Sequence, residues 1–297
     1  MRGAALRRAA LLAPALLLLV ALLAVPLGYL AELSFRENVP GRMVLKPGFT
    51  LAGYARVLGD GFYLGILGRT LWLSAAVTSV SLVFGFAVAY ALWRAPARWK
   101  TTLTLLVIAP LLISLVVRAY GWIVLLGDTG LVNRVLLGFG LVEEPLQIMY
   151  SAAAVFLGLV HVQFPFMVLS LLAAMERIDP ALLDAAETLG ASRARAVAEV
   201  VLPLSLPGVV AGCTLVFTLC MTAFVTPQLL GGSGTRVMTT LVYNQFTAAF
   251  NWPLGSALAV VLSGASLGVV VVFSALMGRL PSLRRIGLTD GAGAEGR

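Results

Sequence analysis

Charge is what this sequence of 297 residues has least of: Asp, Glu, Lys and Arg make up 11% of it, against 60% hydrophobic residues. Soluble domains carry about 25% charged residues, and a soluble globule of this size could not keep so much apolar surface from water. There is a single histidine, His161, which cannot form a metal cluster alone. Only two cysteines are present, Cys213 and Cys220, seven residues apart in one apolar segment and so on nearly the same helix face. They read as buried thiols rather than a disulfide framework or a metal site. A phosphate-cradling nucleotide loop is missing as well, because Gly231-Gly232-Ser233-Gly234-Thr235 has neither the lysine nor the spacing. No clustered carboxylates fall within the apolar stretches, so a membrane enzyme lacks its catalytic constellation, and no inverted repeat supports a secondary transporter.

What the sequence does have is apolar runs. A bilayer core about 30 Å thick takes about 20 apolar residues as helix, and six such runs occur, at about 11–30, 70–93, 103–126, 152–175, 207–230 and 255–277. Each is expected to be helical, since a helix satisfies its own backbone polar groups in lipid. The first run follows Arg2, Arg7 and Arg8 and reads as a retained signal anchor. Residues 31 to 68, with Pro40 and Pro47, form a polar interlude. The expected fold is an all-α membrane protein, one transmembrane domain over residues 1–297.

The net charge of +8 and pI of about 10.1 would point a soluble protein to nucleic acid. Here the basic residues are scattered over short loops, which is the pattern that orients a membrane protein. Thirteen of the 21 fall on one side, among them Arg94, Arg98, Lys100, Arg177, Arg193, Arg195, Arg284, Arg285 and Arg297; seven, including Arg36, Arg42 and Arg56, fall on the other. The bias places both termini in the cytoplasm. Membrane lipid is then the surrounding partner, and nucleic acid is not one.

The loop at 176–206, between spans four and five, is long and helix-patterned. Asp179 can cap a helix whose first residue is Pro180. Leu182, Ala185, Ala186 and Leu189 recur at helical spacing as a small apolar face. Gly190 permits the left-handed turn that ends this helix, and Ser192 can cap a second one toward Val201, with Pro203 and Pro207 stopping it before the next span. A short helical hairpin on the cytoplasmic face follows.

Asp184-Ala185-Ala186, three residues, Gly190, nine residues, Val200, one residue, Leu202-Pro203 resembles the cytoplasmic EAA signature of ABC-importer permeases. The family's usual Glu is Asp184 here and its usual Ile is Val200. Further pieces look like the spermidine/putrescine-type branch: Val117 to Trp122 with Gly130 to Asn133, Phe224 to Gly232, and Asn251 to Ala257. Arg69-Thr70 departs from the Asn-Thr of many relatives. The resemblance implies an inner-membrane permease subunit working with a second permease subunit, two ATPase subunits and an extracytoplasmic solute-binding protein. It implies that ATP and Mg bind the ATPase, with no cofactor in this chain, and that the hairpin couples to the ATPase. The implied cargo is a polyamine or related organic cation; an opine, amino-acid derivative or anion is the alternative.

Candidate pathway residues lie inside the spans. Arg118 sits about eight positions from the outer end of its span, roughly 12 Å at 1.5 Å per residue. A charge at that depth costs about 2.5 kcal/mol or more unless it pairs, snorkels or meets water. It can serve the pathway, with Tyr120 and Trp122 beside it, or hydrogen-bond the carbonyls of broken helices. His161 and Gln163 can line the pathway or join helices. Phe224 can line it or pack. Asp128, Glu143 and Glu144 read as solvated loop charges.

Overall fold

The computed structural model describes residues 2–38, 45–46, 48–232 and 234–279. Pro40, Arg42, Pro47, Ser233, Arg284, Arg285 and Arg297 lie outside the described residues. Thirteen α-helices make up nearly everything described, and the strands are two-residue pieces, Glu37–Asn38 and Leu45–Lys46, paired antiparallel. Six helical segments are long and apolar enough to cross a bilayer: Ala13–Ser34, Gly61–Arg94, Leu115–Gly138, Ala152–Met175, Arg193–Met221 and Trp252–Gly278.

Helix α1 is Arg2–Ser34. Its residues from Leu17 to Leu27 are mostly exposed apolar side chains, and a helix apolar all round is stable only where lipid covers it. The interlude that follows is partly helical, with α2 at Ala52–Gly59 and α3 at Gly61–Arg94. Span two therefore starts well before the expected Thr70. Asp60 sets that start, its Oδ1 accepting from the Phe62 amide at 2.9 Å.

The apolar run expected at 103–126 is broken. Helix α4, Ala97–Ile108, passes into a 3₁₀ turn at Ala109–Leu112 that contains Pro110, and Ile113 is extended (φ −92°, ψ 135°). Pro110 has no N–H for the next α-helical bond, and the chain resumes as α5, Leu115–Leu126, followed by α6, Leu131–Gly138. Asn133, fully buried, clasps this turn by donating to the carbonyls of Gly127 (3.2 Å) and Leu146 (2.9 Å) and accepting from the Leu146 amide (2.9 Å).

Helix α7, Ala152–Met175, carries the largest share of the buried core, with Leu159, Met167, Val168, Leu171 and Met175 almost fully covered. After it come α8 (Ala181–Thr188), α9 (Arg193–Ala196), a π-helical turn (Val197–Val201) and α10 (Leu202–Met221). The expectation that Pro203 and Pro207 stop the second hairpin helix is corrected: α9, the π turn and α10 run on as one helical segment, Arg193–Met221. The wide π turn falls immediately before Pro203 and loosens the ladder where proline N–H groups are missing. Glycines seat α10 on α7. A Cβ placed at Gly208 would lie 2.5 Å from the Ala174 Cβ, and one at Gly212 would lie 2.7 Å from the Met167 sulfur, the close approach that small residues permit in membranes.

The fifth run also breaks, where 207–230 was expected to be continuous. Thr222 turns its Oγ1 back on the carbonyls of Thr218 (3.1 Å) and Leu219 (3.3 Å), and α10 ends at Met221. Helix α11, Val225–Leu230, begins after Phe224. Pro227 cannot donate to the Ala223 carbonyl, which accepts instead from Thr239 Oγ1 at 2.6 Å. Helices α12 (Met238–Thr247) and α13 (Trp252–Gly278) complete the chain.

Packing divides the chain into two compact units, Met1–Gly65 with Leu241–Ser263, and Ile66–Thr240 with Gly264–Arg297. Within the first, Ser34 Oγ and Tyr54 OH share a 2.6 Å hydrogen bond, the Phe35 and Tyr54 rings meet at 5.3 Å, and Asn251 caps α13 through the Leu254 amide at 3.2 Å. The second holds the α7–α10 core and both helix breaks.

Candidate functional site

Backbone that leaves the helix at membrane depth exposes polar groups, and this is tolerated only where protein buries it or a wet cavity receives it. Both breaks here meet such a space. Ile113 and Ser114 from the first, and Thr222, Ala223 and Phe224 from the second, line one cavity of about 670 Å³, with α7 contributing Leu159, Val162, Gln163 and Phe166. That volume suits a small organic molecule.

Among the described residues, Arg118 is the charged one in this lining, and no carboxylate joins it. It stands in the first turn of α5, its amide donating to the Ser114 carbonyl at 3.0 Å, so it is next to a helix break and not in the interior of a continuous span. Its exposure is 9%, and neither Nε nor Nη1 has a hydrogen-bond partner among the described residues. The alternative in which Arg118 ties down the carbonyls of broken helices through these atoms is thus not the arrangement found.

The other sequence candidates divide. Gln163, 4% exposed, and Phe224 line the cavity. Trp122, one turn beyond Arg118, donates its indole N–H to His161 Nδ1 at 3.0 Å, with the rings edge to face at 5.7 Å. His161 faces a separate apolar cavity of about 360 Å³ with Leu103, Phe164 and Pro165. Tyr120 is 58% exposed and absent from both linings, because two residues along a helix is close to the opposite face. Asp128, Glu143 and Glu144 are exposed and outside the cavity. Sequence reading missed Ser114, Thr222 and Thr226, all of which line it; the signal for them is hydroxyl residues flanking a proline within an apolar run.

The hairpin is built from local signals. Asp179 Oδ1 accepts from the Ala181 amide at 2.9 Å and Ser192 Oγ from the Arg195 amide at 3.4 Å. Gly190 has φ +91°, with its amide on the Glu187 carbonyl (3.0 Å) and the Ala191 amide on the Ala186 carbonyl (3.0 Å). These two bonds form a Schellman motif. The apolar face over Leu182, Ala185, Ala186 and Leu189 is left largely outside the chain's own packing. Leu183 is the buried anchor, while Leu182 and Leu189 are 46% and 89% exposed, Asp184 and Ala185 are exposed, and Ala186 is half-buried. Of the signature's last part, Val200 packs on the core edge, Leu202 is exposed, and Pro203 occupies the first turn of α10. Lys100, at the start of α4, pairs with Glu176 at 3.1 Å beside the hairpin's entry.

Six helical segments long and apolar enough to cross a bilayer, with two helix breaks lining one cavity beside them, are the architecture of a multi-pass membrane protein. The chain belongs to the family of binding-protein-dependent transport system inner membrane components, whose sequence profile matches residues 9–280. It is 35% identical over 219 residues to the spermidine/putrescine transport system permease protein PotB of Salmonella typhimurium (strain SL1344), covering 74% of this chain and 76% of that protein. Its fold is similar to that of a bacterial ABC transporter involved in the import of the acidic polysaccharide alginate, with TM-score 0.79 at 18% identity over 94% of this chain and 99% of that one. A second structure, of a bacterial alginate ABC transporter in complex with an alginate pentasaccharide-bound periplasmic protein, is similar with TM-score 0.73 at 21% identity over 91% and 93% of the two chains. It is an inner-membrane transport component.

Proposed function

We propose that this chain forms part of the translocation pathway of an ATP-driven importer for a polyamine or related small organic amine, and that the α8–α9 hairpin receives a separate ATPase subunit. The observation that carries the reading is one of continuity. The helical segment Arg193–Met221 has the hairpin at its start and the wall of the 670 Å³ cavity at its end. Two sites so joined can exchange conformational free energy, which is what ATP-driven transport requires. The hairpin offers exposed Leu182, Ala185 and Leu189 on a helix fixed from behind by Leu183.

In this assembly ATP and Mg are held by the ATPase, a second permease subunit completes the pathway, and a solute-binding protein delivers cargo, in keeping with the periplasmic protein bound to the alginate ABC transporter of similar fold. The amine class comes from the likeness to PotB. The hairpin and both termini face the cytoplasm, in keeping with the surplus of Lys and Arg on that side.

Leu189→Glu tests the docking surface. Leu189 is 89% exposed, so the fold should tolerate a carboxylate there, while a docked interface would desolvate it. The expected result is loss of ATPase co-purification at unchanged membrane insertion; full retention of the ATPase and of uptake overturns the assignment.

A further inference from the structure

We infer that the cargo of the 670 Å³ cavity carries a carboxylate as well as an amine, with Arg118 as the group that receives the carboxylate. The inference rests on the importer reading above and, within the organic amines, selects those that bear a carboxylate over the simple polyamines. A simple di- or triamine asks its site for carboxylates, and among the described residues of this chain the lining holds none. It holds instead a guanidinium that is nine-tenths covered and has Nε and Nη1 without partners among the described residues. Buried donors are paired in nearly every folded protein. Arg118 is the charged exception among the described residues, and a guanidinium gives a carboxylate two parallel hydrogen bonds by using Nη2 together with either Nε or Nη1.

The remaining polar groups suit the rest of such a molecule. Gln163 and Thr226, 4% and 6% exposed, add neutral hydrogen-bonding groups to the wall. The C-terminal turn of α10 ends at the same cavity through Leu219 and Thr222. Its carbonyls carry the partial negative charge of a helix C-terminus, which favours an ammonium group. Asp128, Glu143 and Glu144, the acidic residues nearest α5 in sequence, are exposed and do not reach the lining. A molecule with a carboxylate at Arg118 and an amine toward the α10 terminus leaves neither charge unmatched.

The test uses the complete transporter in proteoliposomes, with its ATPase, second permease and binding protein, and two probes. Putrescine has two ammonium ends; 4-aminobutyrate replaces one CH₂NH₃⁺ end by a carboxylate. Import of 4-aminobutyrate at least tenfold faster than putrescine is expected from the parent. In Arg118→Gln that preference should disappear while the complex still assembles and co-purifies with its ATPase, and Arg118→Lys, which keeps the charge without the fork, should fall between. A parent that favours putrescine, or imports neither probe while its ATP hydrolysis is stimulated, overturns the inference. So does an equal loss of both probes in Arg118→Gln. Absence of stimulated hydrolysis in the parent itself brings down the importer reading along with it.

Discussion

Trp122 on α5 donates its indole N–H to Nδ1 of His161 on α7, 3.0 Å away, and this bond joins the shorter, broken span to the most buried helix of the chain. Hydrogen bonds between membrane helices average about 0.6 kcal/mol and reach about 1.7 kcal/mol. Trp122→Phe removes the donor and keeps most of the ring. The detergent-purified protein should lose thermal stability by an amount in that range, and His161→Phe added to it should cost little more. Additive losses in this double-mutant cycle would show that the two side chains act independently.

Asn133 should be far less tolerant than its place in the short helix α6 suggests. It is fully buried and makes three hydrogen bonds to the backbone of Gly127 and Leu146. Asn133→Ala leaves the Leu146 amide without its acceptor, a loss of about 1–3 kcal/mol. Asn133→Asp keeps the acceptor and replaces two donor contacts by repulsion, so it should do no better than alanine. Midpoints of thermal unfolding for the two variants check this.

Gly208→Leu should prevent α7 and α10 from seating, because the added Cβ meets the Ala174 Cβ at 2.5 Å and the Ser170 carbonyl at 2.9 Å. Overpacking typically costs about 1–3 kcal/mol, and backbone as the obstacle puts this case at or above the upper end. Gly268→Leu is the matched control, since nothing lies within 4 Å of a Cβ there. Yield and monodispersity on gel filtration should drop for the first and hold for the second.

Gly190→Val acts on the hairpin alone. At φ +91° a β-branched residue is strained, by about 1–2 kcal/mol or more, so the Schellman turn opens and the angle between α8 and α9 changes. Membrane insertion should be normal and ATPase recruitment weakened, measured by co-purification. A cysteine at Ser192 should meanwhile resist impermeant thiol reagents added outside intact cells, given the proposed orientation. Labelling from outside would invert the topology.

Local chemistry made the hairpin readable. Asp179, Gly190 and Ser192 each specify a backbone geometry within three residues, and each adopts it. The membrane segments were readable for a different reason, since bilayer thickness sets a length that hydropathy alone detects. Their breaks were not. Ile113 and Phe224 are as apolar as their neighbours, so an average over about 20 residues passes smoothly over both positions, and only Pro110 and Pro227 hint at them. Which residue of α8 turns inward was not readable, because Leu182 and Leu183 are equally apolar, and the buried cluster that Leu183 joins with Ala196 and Val201 is assembled only by the fold. Arg118 was found by its cost, whereas its setting depended on two breaks more than a hundred residues apart in sequence.

The 29 residues from Arg193 to Met221 span about 43 Å at 1.5 Å per residue. Such a helix works as a lever with an unequal stroke. Tilting it by about ten degrees about its hairpin end sweeps the cavity end through about 7 Å, a displacement longer than one helical turn. The softened sections of the helix are the π turn at Val197–Val201 and the turn around Pro207, both in the half nearer the hairpin. A tilt at the hairpin end would therefore be felt at the far end of the helix, where Leu219 lines the 670 Å³ cavity.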